Sequence, residues 1–149
     1  MIYKTNLKRR FLAGFIDYAI IYSLTFLLIF AFGTPDVEGT YHLNGLPALI
    51  PVTGWLILTV VFESLLGGTL GNSIMGLKVL PANLKIRNLT FIESLKRHLL
   101  DPIDMFMFGL IAIITINNTD KRQRLGDIWA NTIVVKASDI TPIKNSIAK

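Results

Sequence analysis

Between Phe11 and Phe32 the chain runs for 22 residues with a single charge, Asp17. As an α-helix rising about 1.5 Å per residue, such a run is about 33 Å long, enough to cross a hydrocarbon layer of about 30 Å. A second run, Leu46 to Leu66, has 21 residues and one charge, Glu63. Pro47 and Pro51 fall in its first turns, where a missing backbone N–H is best tolerated. Neither run shows the one-sided apolar stripe of a soluble surface helix, so both are expected to span a bilayer. The first is too long for the core of a cleaved signal peptide and carries an aspartate inside it.

Composition agrees with lipid as the solvent. Apolar residues make up 52% of the 149 positions, charged residues 17%, and mean hydropathy is +0.53. Soluble domains carry about 25% charged residues. The chain has no cysteine, which excludes disulfides and thiolate metal sites. Its net charge of +5 reads as cytoplasmic loops facing anionic lipid and not as a nucleic-acid surface.

Charge placement orients the spans. Lys4, Lys8, Arg9 and Arg10 precede the first, and the connection from Gly33 to Gly45 contains no Lys or Arg. Gly67 to His98 carries Lys78, Lys85, Arg87, Lys96 and Arg97. The positive-inside rule then puts the amino terminus in the cytoplasm of a multi-pass protein of the cell's inner (plasma) membrane. A third apolar block, Leu99 to Ile116, contains Asp101, Pro102 and Asp104, and its uninterrupted part is 12 residues. If it dips in and returns, with Pro102 as the break, all fifteen Lys and Arg lie inside. A full crossing is the alternative and leaves six outside.

The expected fold is therefore an all-α membrane fold with two transmembrane helices (about 11–32 and 46–66). A third amphipathic, re-entrant or spanning element covers about 90–116, and the membrane domain covers 8–136. Leu77–Leu80 and Thr132–Val135 are short β-favouring runs that an inside tail would let pair as a small cytoplasmic ladder. Thr90 to Leu100 reads as an amphipathic helix with Thr90 and Glu93 as a capping box and Lys96, Arg97 and His98 near the surface. Residues 137–149 read as a polar cytoplasmic tail, its last ten residues without fixed structure.

The charges inside apolar segments are the candidate functional residues. Arg10 and Asp17 are seven apart and share a helix face. Glu63 falls at a depth similar to Asp17 on the antiparallel second span. Arg97, Asp101 and Asp104 follow i, i+4, i+7 spacing. An acid at such depth costs a few kcal/mol unless paired, protonated or hydrated. Two readings stay open: carboxylates that exchange protons or small cations, or a salt-bridge network in which Arg10 and Arg97 neutralise Asp17, Glu63 and Asp101. Asp127 is expected outside the hydrocarbon, capping a helix from Ile128 onwards.

No catalytic residues or cofactor are expected. His42 and His98 stand alone, so no metal site is expected. Gly67–Ser73 has Asn72 where a phosphate loop needs lysine, and reads as a tight exit turn from the second span. Arg124-Leu125-Gly126-Asp127 lacks the first glycine of an intramembrane aspartyl protease motif.

Taken in order, Arg10-Phe-Leu-Ala13-Gly-Phe-Ile-Asp17, Glu63-Ser64, Gly68-Thr69-Leu70-Gly71 and Gly76-Leu77-Lys78-Val79 resemble the RDD family of small membrane proteins. Arg97, Arg122-Gln123-Arg124-Leu125-Gly126-Asp127 and Ala130-Asn131-Thr132-Ile133-Val134-Val135 continue the likeness, over roughly residues 8–136. The resemblance implies that Arg10, Asp17 and Asp127 are the arginine and two aspartates for which the family is named. Two departures are Asn72 in place of lysine and Asn131 in place of glycine. What the resemblance implies for function is ligand or ion transport, including monovalent cation (Na⁺, Li⁺ or K⁺)/proton antiport. Because two or three helices enclose almost no polar path, that is expected of a homo-oligomer or of a subunit with a larger membrane partner. The alternative is a non-catalytic membrane scaffold or regulator.

Overall fold

The computed structural model describes residues 3–147. Helix α1 is unbroken from Leu7 to Phe32, and Leu46–Leu66 form one continuous rod, α2. Proline starts α2 as a 3₁₀ turn, and its middle widens to a π-helix over Leu56–Val61. Both helices are long and apolar enough to cross a membrane. On α1, Phe15, Tyr22, Phe26 and Phe30 are all exposed, Phe30 by 83%. A band of aromatic rings that large is a lipid-facing surface, because water would penalise it heavily. The only chain between the two rods is a short loop pairing β1 (Thr34–Pro35) with β2 (Tyr41–His42).

Gly67 ends α2 in a left-handed conformation, φ 81°, with its N–H on the Glu63 carbonyl. That is the exit turn expected from the glycines. Thr69 then caps a short helix α3, Leu70–Ile74, by accepting the Asn72 N–H at 3.2 Å. Strand β3 (Leu77–Pro81) pairs antiparallel with β4 (Thr132–Lys136), with Val79 opposite Val134 and Leu80 opposite Ile133. Both faces of this ladder are largely covered, so neighbouring residues such as Val79 and Leu80, or Ile133 and Val134, are apolar on either face. Leu77, Val79 and Val134 pack with Ala13 of α1 and with Leu89. Leu80, Ile133 and Val135 pack with Ile143 and, at the edge, Tyr3.

The polar tail is not unstructured where it is described. Ile140–Ile147 form helix α8, which seats Ile143, 3% exposed, on the ladder. Residues 148 and 149 lie outside the described residues.

Between the strands, α4 (Phe91–Leu99) opens with the expected capping box. Thr90 Oγ accepts the Glu93 N–H, and Glu93 accepts the Thr90 N–H at 2.7 Å. Helix α5 (Asp101–Asp104) follows, then α6 (Phe106–Asn118), with a 115° bend between α4–α5 and α6. The break is not at Pro102, which sits in the first turn of α5 where its missing N–H has no partner to lose. It lies at Met107, Phe108 and Gly109, all left-handed, with φ 47°, 59° and 83°.

This bend and the ladder together favour a re-entrant third element over a third crossing. β3 follows α2 after only the short helix α3, and β4 lies beside it, so the segment between the strands starts and ends on one side. The amino terminus joins that side too, through Lys4 to Asp139 at 3.0 Å and Arg9 to the Met75 carbonyl at 2.8 Å. Among the described residues, the Lys and Arg of the amino-terminal segment and of the region from α3 to β4 therefore gather on the face opposite the 33–45 loop.

Candidate functional site

The bent element and the start of α1 enclose a buried ionic cluster. Because α4 is capped at Thr90, Ser94, Arg97 and His98 fall on its inner face, and Asp101 and Asp104 continue that face across the turn at Leu100. Arg97 and His98, expected near the surface, are 2% and 4% exposed. The i, i+4, i+7 acids and arginine do converge, although the helix is interrupted between them.

Helix α7 (Leu125–Trp129) supplies the other half. Its first turn packs on α4 so closely that a Cβ at Gly126 would run into the Arg97 carbonyl. Asp104 accepts the Leu125 and Gly126 N–H groups at 3.0 and 2.9 Å, filling orphan donors at the helix start. Asp127 is not the residue preceding a helix, as expected, but stands inside the first turn and accepts the Arg124 N–H at 3.1 Å.

The pairing matches the expected network where Arg97 meets Glu63 and differs elsewhere. Arg10 does not turn to Asp17. It bonds Asp127 and the Arg122 carbonyl, the latter at 2.8 Å. Arg97 bridges Asp127 Oδ1 at 2.6 Å and Glu63 Oε2 at 3.1 Å, and Glu63 also accepts from Ser94 at 2.9 Å. Asp101 is neutralised by Arg124 at 2.8 Å, and the same oxygen pair takes His98 Nδ1 at 2.7 Å and the Tyr18 hydroxyl at 2.8 Å. Arg124 stands 3.4 Å from Asp127 and 3.7 Å from Asp104. Asp17 is held by neutral donors alone, the Thr69 hydroxyl at 2.6 Å and the Gly71 N–H at 2.7 Å. Gly71 is needed there, since a Cβ would strike the Ala13 carbonyl.

Burial alone would push the Asp127 carboxyl upward. The surrounding guanidiniums of Arg97, Arg10 and Arg124 outweigh it and hold the group well below the usual carboxylate range. Burial also lowers Arg124, but Asp101, Asp127 and Asp104 more than compensate and strengthen its hold on its proton.

Arg124, His98, Tyr18, Ser94 and Thr69 are members of this site that the sequence reading did not single out. The signals were present in part: Arg124 stands three residues before Asp127, and His98 three before Asp101. Neither spacing says that the partner helices meet. Of the two departures, Asn131 adopts φ 52°, a left-handed position that asparagine tolerates better than most residues, so the usual glycine is dispensable. Asn72 is buried beside Thr69.

Next to the cluster lies a cavity of about 750 Å³ between the first turns of α1 and the α5–α6 hook. Asp17, Tyr18, His98 and Asp101 form its polar floor, and Phe11, Phe15, Phe108 and Ile113 line its apolar wall. Thr59, from the π-helical stretch of α2, also reaches it. Among the described residues no group of three or more His, Cys, Asp or Glu is arranged to hold a metal ion.

The chain matches no curated protein and no solved structure. The model of the RDD family matches residues 4–131, a stretch that contains Arg10, Asp17, Asp127 and every other member of the ionic cluster. With two apolar rods, a cluster built from both of them and that match over most of its length, the chain is a membrane protein that belongs to the RDD family.

Proposed function

We propose that this chain handles monovalent cations and protons at the cell's inner (plasma) membrane, with Asp17 as the exchanging group. The observation that carries the reading is the isolation of Asp17. Of the five acids in the cluster, Glu63, Asp101, Asp104 and Asp127 each face a guanidinium within 4.0 Å, and Asp17 faces none among the described residues. It lines the cavity, and the cluster's five carboxylates outnumber its cations, Arg10, Arg97, Arg124 and the His98 imidazolium that Asp101 and Glu63 hold protonated, by one. An unmatched acid in a low-dielectric site draws a proton or a cation to itself.

The amino terminus is cytoplasmic in this reading, supported by the absence of Lys and Arg from the 33–45 loop. The chain works without catalysis. Two crossings enclose little polar path, so it acts as a homo-oligomer or as a subunit of a larger membrane assembly. A second reading, a scaffold or regulator of a membrane partner, draws support from the closure of the remaining ion pairs, which fix the helices to one another.

Purified protein in liposomes should dissipate a pH gradient on addition of Na⁺, Li⁺ or K⁺, more slowly as pH falls and Asp17 is protonated. Asp17→Asn should abolish the effect in a folded protein, since the amide neither releases a proton nor neutralises a cation. Folded, correctly oriented wild-type protein that moves no cation under any gradient would leave the scaffold reading.

A further inference from the structure

We propose that the cavity binds an amphiphile whose ammonium head sits against Asp17 and whose hydrocarbon body lies along Phe11, Phe15, Phe108 and Ile113. The inference rests on the reading of Asp17 as the exchanging carboxylate and names the class of cation it takes.

Size is the first argument. A space of about 750 Å³ lies within the range of sites that enclose drug-sized organic molecules, and it is far larger than a desolvated alkali ion needs. The wall is the second. Four of its residues are aromatic or branched aliphatic side chains with no oxygen to offer a metal ion, whereas a hydrocarbon body finds dispersion contacts there. Phe11, Phe15 and Phe108 are 52%, 64% and 91% exposed, so the wall continues into the lipid-facing surface from which an amphiphile would enter.

The floor decides the sign of the head. Arg10, Arg97 and Arg124 are each already engaged by carboxylates, and an anion would have to break those pairs. A cation meets in Asp17 a carboxylate that only the Thr69 hydroxyl and the Gly71 N–H hold among the described residues. An ammonium also has N–H donors to spare for the second lone pairs of that carboxylate, which a quaternary head lacks. His98, also on the floor, is already engaged on both nitrogens, Nδ1 with Asp101 at 2.7 Å and Nε2 facing Glu63 at 3.4 Å, which leaves Asp17 as the open acceptor. Backbone irregularity gathers at the same place: Thr59 on a π-helical stretch, and Met107 and Phe108 in left-handed conformations at the rim.

The test is equilibrium binding of radiolabelled decylamine, decanol and decanoate to the full chain in lipid nanodiscs, with empty nanodiscs as background. Decylammonium should bind saturably, with a preference of about tenfold or more over decanol, as expected for one charge-assisted hydrogen bond. Asp17→Asn should remove that preference, its amide oxygen still accepting from Gly71. Ala112→Phe, which fills the cavity away from the charges, should remove saturable binding of decylamine altogether. Ile113→Trp serves the same purpose if Ala112→Phe fails to fold. Equal binding of decanol and decylamine, tighter binding of decanoate, or full binding by both filled variants would overturn the proposal. Alkali-cation exchange measured on the same proteins separates the two readings. Exchange that depends on Asp17 without any amine preference removes the amphiphile and keeps the function proposed above. Absence of both removes both.

Discussion

Arg10, at the start of the first span, bonds the carboxylate of Asp127, 117 residues further along the chain. Asp17, two turns away on its own helix, is left to Thr69 and Gly71. Arg10 and Asp127 thus form a tertiary clasp that ties the first span to α7, and Asp17 stands apart from it.

A double-mutant cycle should reproduce that asymmetry. Asp127→Asn removes a partner from a buried ion pair and should cost about 3–5 kcal/mol of stability. Combined with Arg10→Gln, it should show a coupling of about 0.5–3 kcal/mol, the range for residues in one network. The Arg10→Gln, Asp17→Asn cycle should show none. Unfolding titrations in mild detergent measure both, and strong coupling to Asp17 would contradict the clasp.

Close backbone contact makes two glycines sensitive. Gly71→Ala would press a methyl into the Ala13 carbonyl, and Gly126→Ala would press one into the Arg97 carbonyl. Each should cost about 1–3 kcal/mol, the usual penalty for overpacking. Gly54, in the second span, has nothing within 4 Å of an added Cβ, so Gly54→Ala should leave the unfolding temperature unchanged or raise it slightly. Equal effects at all three positions would argue against the packing of α3 on α1 and α7 on α4.

Topology follows from the ladder. With cysteine at Ser138 or Lys85, an impermeant thiol reagent should leave intact cells unlabelled, whereas cysteine at Glu38 should react. Labelling at position 138 from outside would mean that β4 had crossed to the far side, which its pairing with β3 forbids.

Acid should unfold the protein through Asp127 in a defined direction. Its carboxyl is held below the ordinary range in the folded protein, so over the interval between folded and unfolded values the unfolded chain binds the extra proton. The contribution is complete above the unfolded value, about 3.9, and is lost as pH falls through the folded one. Thermal midpoints taken from neutral to strongly acid pH should fall for the wild type. Asp127→Asn should start lower at neutral pH and lose part of that slope. An unchanged slope would assign the acid sensitivity to another group.

Hydropathy and charge order were enough to find both spans, the exit turn at Gly67, the capping box at Thr90 and Glu93, and the two strand segments. Each is settled within one stretch of chain: a span by about 20 apolar residues, a cap by a side chain three positions from its partner. The two strands were a pairing guess that the Lys and Arg partition made permissible, and the register came only with the ladder.

Partners were another matter. From the sequence Arg10 and Asp17 belong together because they share a helix face, and His98 belongs at the surface because it ends an amphipathic helix. Tertiary structure reversed both, because a buried charge is satisfied by whichever group packing brings within about 4 Å, and sequence distance does not enter that sum. The break in the third element went the same way. Proline at position 102 is harmless in a first turn, while the left-handed residues at 107–109 carry the bend that returns the chain to β4. Solvent preference is written locally in this chain. Which arginine meets which acid, and which acid is left without one, was decided only when the helices met.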